Sequence, residues 1–356
     1  MSRNAQYRAF NQRWFWLSGL CLVLLFIPQA RAQTPHAIAG TNAADARVVI
    51  VEDIAAMDDL RTVPDKIQAM VDRAITNLTG KATVRAAWSS LVSPQDTVGL
   101  KVLSSPGPNS GTRRDVVTAI VKDLLAAGVP PRHIIVWDRH SVELRLAGFY
   151  ELERAFGIRV MGSVEAGYDS KMFYETALLG TLMYSDLDFG KTGPGLGRKS
   201  YVSKLVTGEM TKIINITPLL HHNIVGVSGN LFSLSLGSVD NTARFEANAE
   251  DLARAIPEIY ALPALGDRVV LNVVDALICQ YQGQQQGLLH YSTVLNQLRF
   301  SRDPVALDVL SLQEINHQRE LADVPVSKTN LDLYSNASLL EIGISDPHHI
   351  QVEKIP

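Results

Sequence analysis

Hydrophobic residues in this chain form short continuous runs, and amphipathic stretches separate the runs. Continuous apolar runs bounded by turn residues predict strands that are buried on both faces. The predicted strands are Arg47–Val51, Asp96–Leu103, His133–Trp137, Ile158–Met161, Ile213–Ile216, Arg268–Leu277 and Leu298–Ser301. Helical spacing of apolar residues predicts helices over 63–78, 115–127, 144–156 and 246–260. This alternation indicates an α/β fold with three layers, a largely parallel sheet and helices on both faces.

Capping residues predict where two of the helices begin. Thr112 is predicted to cap the helix over 115–127, and Gly128 is predicted to end it. Asp303 followed by Pro304 predicts the start of another helix that runs to about Arg319.

The regular pattern disappears twice. Between Ser163 and Ser200 the chain is rich in Gly, Tyr and Asp, so we predict an insertion around 163–205 that forms a hairpin or a lid. Its glycine-rich end, 190–197, has neither the P-loop nor the dinucleotide spacing and is interpreted as a mobile loop. The α/β domain is predicted over 45–322, followed by an irregular tail over 323–356 with one strand at Ser338–Ile344.

The first 32 residues have the features of a secretory signal. Arg3, Arg8 and Arg13 precede an apolar run, Trp14–Ile27, and Ala30-Arg31-Ala32 is a small-x-small cleavage site. The run is shorter than the roughly 20 apolar residues of a membrane-spanning helix, and an uncleaved anchor is the alternative. We therefore predict a signal peptide over 1–32, a flexible leader over 33–44 and an exported protein, periplasmic or extracellular, without stable membrane insertion after cleavage.

Charge and cysteine content narrow the functional classes. The formal net charge is −3, which disfavours nucleic acid as a partner, because such binding usually needs a basic surface. Of the two cysteines, Cys21 lies in the predicted signal peptide and Cys279 in a buried run. A single cysteine cannot supply an iron–sulfur cluster or a Cys-ligated structural zinc site, so neither is expected. The cofactor is otherwise unknown.

The segment Thr211–Asn241 carries the strongest indication of a site. A buried strand, Ile213–Ile216, is predicted to break at Pro218, after which come His221-His222 and the small residues Gly226–Gly229. In open α/β sheets, ligands bind at the carboxyl ends of the strands. We therefore expect the site there, with a small-molecule ligand.

Adjacent histidines in an extended segment point in opposite directions. His222 is a candidate general acid/base or metal ligand, because the pKa of histidine lies near neutral pH. His221 is a weaker candidate for the ligand site, and for both residues a satisfied histidine at a strand end is the alternative. Whether a metal binds is left open.

Three charged residues interrupt or end apolar strands. Lys101 either faces a cleft and holds an anion or extends to the surface. Asp138 directly follows a strand and is either a ligand-binding residue or a turn former. Asp275 interrupts a buried run, so its carboxylate needs a partner or a metal.

These residues make up the predicted site. The catalytic residues are predicted to be His222, Lys101 and Asp275. Small and polar residues near His222 in the sequence add to the predicted ligand-binding set, which comprises Asp138, His221, Ser228, Gly229, Asn230 and Asp240. We expect Lys101, Asp138, His222 and Asp275 to surround a shared hollow at one edge of the sheet.

Three blocks together resemble the domain of unknown function 362 family: Val98–Val102 with Thr112 and its helix, Ile213–Val239, and Val273–Ala276 with Asp303–Asp308. The resemblance covers roughly residues 95–318 and implies the α/β fold but no settled reaction. This chain has Leu220 and Phe232-Ser233 where the family pattern has lysine and Lys-Asn, and Leu103 where asparagine is frequent. Chemistry that needs those lysines is therefore not expected in this chain. The ferredoxin-like iron–sulfur module of some relatives is not expected either, because the cysteines that would ligate it are missing.

Three functions remain in competition. The first is an exported enzyme that acts on a small anionic molecule, with Lys101 holding the anion, His222 moving a proton and Asp275 orienting the histidine or holding a metal. The second is a non-catalytic binding or accessory protein that uses the same cleft. The third, a redox carrier, is disfavoured by the cysteine content.

Overall fold

The structure is a computed structural model that describes residues 45–178, 197–246, 248–283, 286–325 and 331–356. The predicted signal peptide and leader lie outside the described residues, as does 190–196 of the glycine-rich stretch. None of the helices in these ranges combines the length and the apolar character that a membrane span requires.

The strands of the described residues are numbered in chain order. They are β1 (Ala46–Glu52), β2 (Met57–Asp58), β3 (Arg61–Thr62), β4 (Val98–Val102), β5 (Ile134–Asp138), β6 (Arg159–Gly162), β7 (Tyr168–Glu175), β8 (Lys199–Ser203), β9 (Lys212–His222), β10 (Gly226–Val227), β11 (Val269–Gln280), β12 (Ser292–Ser301) and β13 (Ile350–Ile355). Within the described ranges, β2 pairs with β3 and β7 pairs with β8 in two small separate sheets.

The central sheet confirms the predicted α/β architecture. Its order is β13-β1-β12-β11-β9-β4-β5-β6, with β10 beside β9. The strands β11, β9, β4, β5 and β6 are parallel, and β12 runs antiparallel to both of its neighbours. The carboxyl ends of five adjacent strands therefore lie along one edge of the sheet.

Helices cover both faces of the sheet. They are Pro64–Thr79, Val84–Ser89, Gly107–Ser110, Arg114–Ala127, Ser141–Leu146, Tyr150–Phe156, Ser163–Ala166, Asn230–Ser238, Ala243–Glu246, Ala249–Tyr260, Pro304–Leu321 and Asp332–Leu339. Alternate residues of β5 enter two different hydrophobic cores, Ile135 and Trp137 on one face and Ile134 and Val136 on the other. The helix Asn230–Ser238 packs in the first core and the helix Arg114–Ala127 in the second.

The predicted break at Pro218 is wrong, because β9 continues through it to His222. Proline has no N–H for a ladder and is tolerated where a neighbouring strand is missing. The neighbour β4 ends opposite Ile216, and the pairing with β11 is irregular just beyond Pro218. Beyond that point β10 pairs with His221 and His222 and closes a short hairpin.

Thr112 does not cap the following helix, contrary to the prediction. The capping position is Arg113, whose side chain makes no capping bond. The Thr112 hydroxyl instead donates to the Ile216 carbonyl at 2.8 Å and accepts from the Leu103 N–H at 3.0 Å. Thr112 thus links the end of β4 to the middle of β9. Asp303, by contrast, caps its helix as predicted, through the Ala306 N–H.

The predicted insertion contains the antiparallel hairpin β7–β8 among its described residues. Arg244 attaches this hairpin to the domain. Its guanidinium donates to the Ser200 and Thr176 hydroxyls and to the Tyr174 and Leu178 carbonyls. Four acceptors from both sides of the hairpin converge on one planar donor group.

The C-terminal segment is more regular than predicted. No strand forms at Ser338–Ile344, where a helix, Asp332–Leu339, ends instead. The strand is β13, which extends the sheet by pairing in parallel with β1. Short apolar runs do not distinguish helix from strand by periodicity, and here packing of Leu333, Tyr334 and Ala337 against the core favours the helix.

Candidate functional site

The carboxyl ends of β4 and β5 bring Lys101 and Asp138 together. Neighbouring parallel strands pair Lys101 with Trp137, so the next residue of β5, Asp138, lies beside the lysine ammonium. Lys101 Nζ donates to Asp138 Oδ1 at 2.8 Å, and both side chains are almost fully excluded from solvent. Two residues that are 37 positions apart in the chain form one buried ion pair.

Every N–H of the Lys101 ammonium has an acceptor within the protein. Besides Asp138, Nζ donates to the Val102 carbonyl at 2.6 Å and to Ser233 Oγ at 3.0 Å. An ammonium has three N–H donors, so none is left for a ligand. In this arrangement Lys101 positions Asp138 and does not itself hold an anion, which differs from the role predicted for it.

Asp138 is satisfied through both oxygens. Its Oδ2 accepts from the Ser104 N–H and from Ser104 Oγ, both at 2.7 Å. Burial by itself raises the pKa of Asp138, but the Lys101 ammonium and the Ser104 donors outweigh it and hold that pKa below its usual value. Asp138 is therefore a carboxylate at neutral pH.

Gly237 allows the helix Asn230–Ser238 to approach this ion pair. A Cβ at position 237 would lie 2.2 Å from Lys101 Cε and 2.8 Å from its Nζ. Any larger residue would have to displace the lysine. The glycine is thus required by close approach of the backbone.

A cleft of about 140 Å³ opens beside the pair. Asp138 lies in its wall together with Leu103, Ser105, Arg139, His140, Glu143, Phe232, Ser233, Leu236, Gly237 and Glu246. Of the residues predicted from the sequence as site residues, Asp138 alone lines this cleft among those described. The cleft lies at the carboxyl ends of parallel strands, where the fold class predicts a ligand site.

The sequence analysis missed four lining residues with ionisable side chains: Arg139, His140, Glu143 and Glu246. Arg139 and His140 directly follow Asp138, and Glu143 lies in the first turn of the helix Ser141–Leu146. Burial and the nearby Asp138 carboxylate raise the pKa of Glu143. The signal that could have found the first three is their position just after a parallel strand.

His222 lies near the cleft but does not line it. Its Nδ1 accepts from the N–H groups of Ile224 and Val225 at 3.2 and 3.3 Å, which organises the turn between β9 and β10. Its ring contacts Phe232, a cleft residue, at a centroid distance of 4.5 Å. Burial lowers the pKa of His222 to about 4, so the imidazole is neutral at pH 7.

His221 has different neighbours, as expected for adjacent residues in a strand. Its Nε2 lies 3.3 Å from Arg319 Nη1. Burial, the Arg319 charge and the neighbouring His222 lower the pKa of His221 to about 4. A neutral Nε2 can accept the arginine N–H, so His221 contributes to the contact with the helix Pro304–Leu321.

Asp275 is paired on the other face of the sheet. Its carboxylate accepts from the Arg113 N–H at 2.9 Å and from Arg113 Nη1 at 3.1 Å. Arg113 precedes the helix Arg114–Ala127, whereas Lys101 contacts Ser233 on the helix of the opposite face. The sheet therefore separates Asp275 from the cleft. Of the four residues expected to surround a shared hollow, Asp138 alone lines the cleft. Lys101 lies behind Asp138, His222 lies against Phe232, and Asp275 lies across the sheet.

Gly229 and Asn230 form the start of a fully buried helix, Asn230–Ser238, which the sequence pattern did not reveal. Asp308 from another helix caps it, accepting from the Asn230 N–H at 2.6 Å, from Asn230 Nδ2 at 3.0 Å and from the Leu231 N–H at 2.9 Å. A Cβ at Gly229 would lie 2.3 Å from Asp308 Oδ1. These residues orient the helix that carries Phe232, Ser233 and Gly237 to the cleft.

The remaining predicted ligand residues lie in the protein interior. The Ser228 hydroxyl is buried and has no hydrogen-bond partner among the described residues. Asp240 Oδ1 accepts from the Tyr201 N–H at 2.6 Å and so joins the end of the helix Asn230–Ser238 to β8. Within the described part of the chain, no group of three or more His, Cys, Asp or Glu side chains is arranged to hold a metal ion.

Comparison with known proteins places the chain in a family. The family described as "domain of unknown function" (DUF362) matches residues 98–313, which is more than half of the sequence. The chain belongs to the DUF362 family. The matched range of this DUF362 chain includes both strands of the Lys101–Asp138 pair and the whole cleft lining.

A crystal structure of a Thermotoga maritima protein is also similar to this DUF362 chain, with 10% sequence identity and a TM-score of 0.39. The similarity covers 75% of this chain and 60% of that one, so this chain spans less than two thirds of the other's length. No curated protein matches the sequence.

Proposed function

We propose that this DUF362 chain is an exported protein that binds or acts on a small molecule with an anionic group. The proposed binding site is the cleft at the carboxyl ends of β4 and β5. The observation that supports it is the buried Lys101–Asp138 pair at the base of a polar cleft, with Ser104 and Ser233 completing the hydrogen bonds of the pair. Arg139 supplies a cation in the cleft wall for the anionic group.

In the catalytic version of this proposal, a group in the cleft exchanges a proton with the ligand. Asp138 is ionised and lines the cleft, so it is the candidate base. Lys101 would act by positioning Asp138. His222 would affect the cleft only through its contact with Phe232. Asp275 would affect it only through its hydrogen bonds to Arg113, which hold the strands of the sheet in place.

Binding without catalysis is the second candidate. It is favoured by the complete hydrogen bonding of the Lys101 ammonium and of both Asp138 oxygens. A carboxylate whose two oxygens already accept hydrogen bonds is held rigidly and is a weaker proton acceptor. Turnover of the bound molecule by the purified protein distinguishes the two candidates, because a binding protein releases its ligand unchanged.

Substitution of Gly237 tests the cleft. We expect the full chain to co-purify with a small molecule, and Gly237→Ala to retain at least about tenfold less of it, since the added Cβ displaces Lys101. Mass spectrometry of the small molecules released from equal amounts of folded protein measures this. Gly208→Ala is the matched control, because a Cβ there meets nothing within 4 Å. Equal retention by both variants would place the ligand elsewhere.

Export is tested by the N-terminus of the protein. Expression of the full chain with a C-terminal tag in a bacterial host should give a periplasmic protein that begins at Gln33, after the Ala30-Arg31-Ala32 signal. Intact mass and N-terminal sequencing of the fractionated protein measure this. Retention of residues 1–32 on a membrane-bound protein would support the alternative of an uncleaved anchor, and a full-length cytoplasmic protein would contradict export.

A further inference from the structure

The cleft contains ionisable side chains that are not fully engaged by the protein itself. Glu143 and His140 make no side-chain hydrogen bond or ion pair among the described residues, although both line the cleft. Arg139 is only partly engaged. Its Nη1 donates to Thr242 Oγ1 at 2.8 Å and lies 3.5 Å from Glu246, whereas its Nε has no partner in the described structure.

The cleft therefore offers two poles of opposite charge. Arg139 provides a guanidinium that can pair with a carboxylate, and Glu143 provides a carboxyl group on the same wall lining. The Asp138 carboxylate lies in the same lining and adds negative charge near Glu143. Its negative charge is close enough to raise the pKa of Glu143. A ligand with one anionic and one cationic end would satisfy both poles.

The size of the cleft limits the ligand to a few heavy atoms. Its volume is about 140 Å³. A cavity of about 150 Å³ in another protein accommodates benzene, a molecule of about six non-hydrogen atoms. A three-carbon amino acid has this size.

The apolar part of the lining fits a short side chain. Leu103, Phe232 and Leu236 line the cleft beside its polar groups. An aliphatic group of one or two carbons would contact them and would be removed from water. A long side chain would exceed the cleft volume of about 140 Å³.

We propose that the ligand of this cleft is a small zwitterionic α-amino acid, whose carboxylate pairs with Arg139 and whose ammonium pairs with Glu143. This inference rests on the proposed function, because it assumes that the cleft is the binding site. It goes beyond that proposal in naming the chemical class of the ligand and the two residues that select it.

Calorimetric titration of the full chain with four probes tests the inference. The probes are L-alanine, propionate (which lacks the ammonium), ethylamine (which lacks the carboxylate) and L-lactate (which has a hydroxyl in place of the ammonium). We expect L-alanine to bind at least about tenfold more tightly than each of the others, because each lacks one ionic contact, and tenfold corresponds to about 1.4 kcal/mol.

Two variants assign the contacts. Arg139→Gln and Glu143→Gln should each weaken the binding of L-alanine at least about tenfold. Arg139→Gln should leave the affinity for ethylamine unchanged, and Glu143→Gln should leave that for propionate unchanged. Arg145→Gln and Glu151→Gln remove exposed charges nearby and serve as matched controls, and thermal melts confirm that all four variants fold.

The outcomes separate this inference from the proposed function. Tight binding of L-alanine that is weakened by both cleft variants and by neither control supports both. Preference for L-lactate or propionate, or binding of L-alanine that is indifferent to both variants, overturns the amino-acid assignment. The proposed function survives that result if the co-purifying molecule is still lost in Gly237→Ala, and fails if it is not.

Discussion

Replacing Lys101 with methionine is expected to lower the free energy of unfolding by about 3–5 kcal/mol, because it leaves the Asp138 carboxylate buried without its counter-charge. The pair is formed at 2.8 Å, with the lysine side chain fully buried. Methionine is similar in length to lysine and can fill the same space. The expected loss of stability therefore comes from the lost charge and not from lost volume. Denaturant-induced unfolding of the full chain at pH 7 measures the change.

Lys66→Met provides the matched control. Lys66 lies 3.8 Å from Asp53, and its side chain is 48% exposed, so its loss should cost less than about 1 kcal/mol. The double variant Lys101→Met/Asp138→Asn should regain part of the stability, because it removes the uncompensated charge. Equal destabilisation by Lys101→Met and Lys66→Met would show that the buried pair adds no more to the free energy of unfolding than an exposed pair does.

Replacing Asp308 with alanine is expected to have the second largest effect, a loss of about 2–4 kcal/mol. Asp308 accepts from two N–H groups at the start of the helix Asn230–Ser238 and from the Asn230 amide. Alanine leaves the two backbone N–H groups buried without an acceptor, and about 1–2 kcal/mol for each of them accounts for the expected loss. Asp65→Ala, an exposed acid in the first turn of Pro64–Thr79, should cost less than about 1 kcal/mol in the same unfolding experiment.

The pH dependence of stability gives an independent test of Asp308. Burial raises its pKa to about 7, while the Leu231 and Asn230 donors act in the opposite direction. An acid with a raised pKa in the folded state stabilises the fold below its unfolded pKa, and this contribution is lost as the pH rises through about 4 to about 7. Asp308→Asn does not titrate, so the stability difference between pH 4 and pH 8 should shrink by roughly 2–4 kcal/mol relative to the wild type. An unchanged pH profile would contradict this account of Asp308.

The position of the proposed site follows in part from the sequence. Lys101 and Asp138 are predicted as site residues because each ends a hydrophobic run, and parallel strands bring such ends to one edge of the sheet. The structure places them in one ion pair beside the cleft. Arg139, His140 and Glu143 were not predicted, because polar residues just after a strand and at the start of a short helix resemble an ordinary solvent-exposed segment when the sequence is read alone.

Asp275 shows the limit of this reasoning. Its burial and its need for a partner followed from the apolar run around it, and the structure provides Arg113. The face of the sheet was not predictable in the same way. The direction of its side chain depends on the register between β11 and β9, which shifts near Asp275. A shift of one residue reverses the face on which a side chain lies.

The helix Asn230–Ser238 shows a second limit. All nine of its residues are buried, so it lacks the polar face that makes a helix visible as a periodic pattern. Its start depends on Asp308, a residue 78 positions away, instead of on a capping side chain of its own. Likewise, Pro218 could remain in a strand only because β4 ends beside it.

By itself, the sequence determined the alternation of strands and helices, the largely parallel sheet and the edge at which Asp138 lies, because hydrophobic periodicity and the ends of runs are local properties. Tertiary structure alone decided that all three donors of Lys101 are bonded within the protein. It also decided that Asp275 lies across the sheet from the cleft and that Arg139 and Glu143 line a common cleft. The reason is physical: hydrogen-bond partners and strand register are set by segments far apart in the chain, and they exist only when those segments pack.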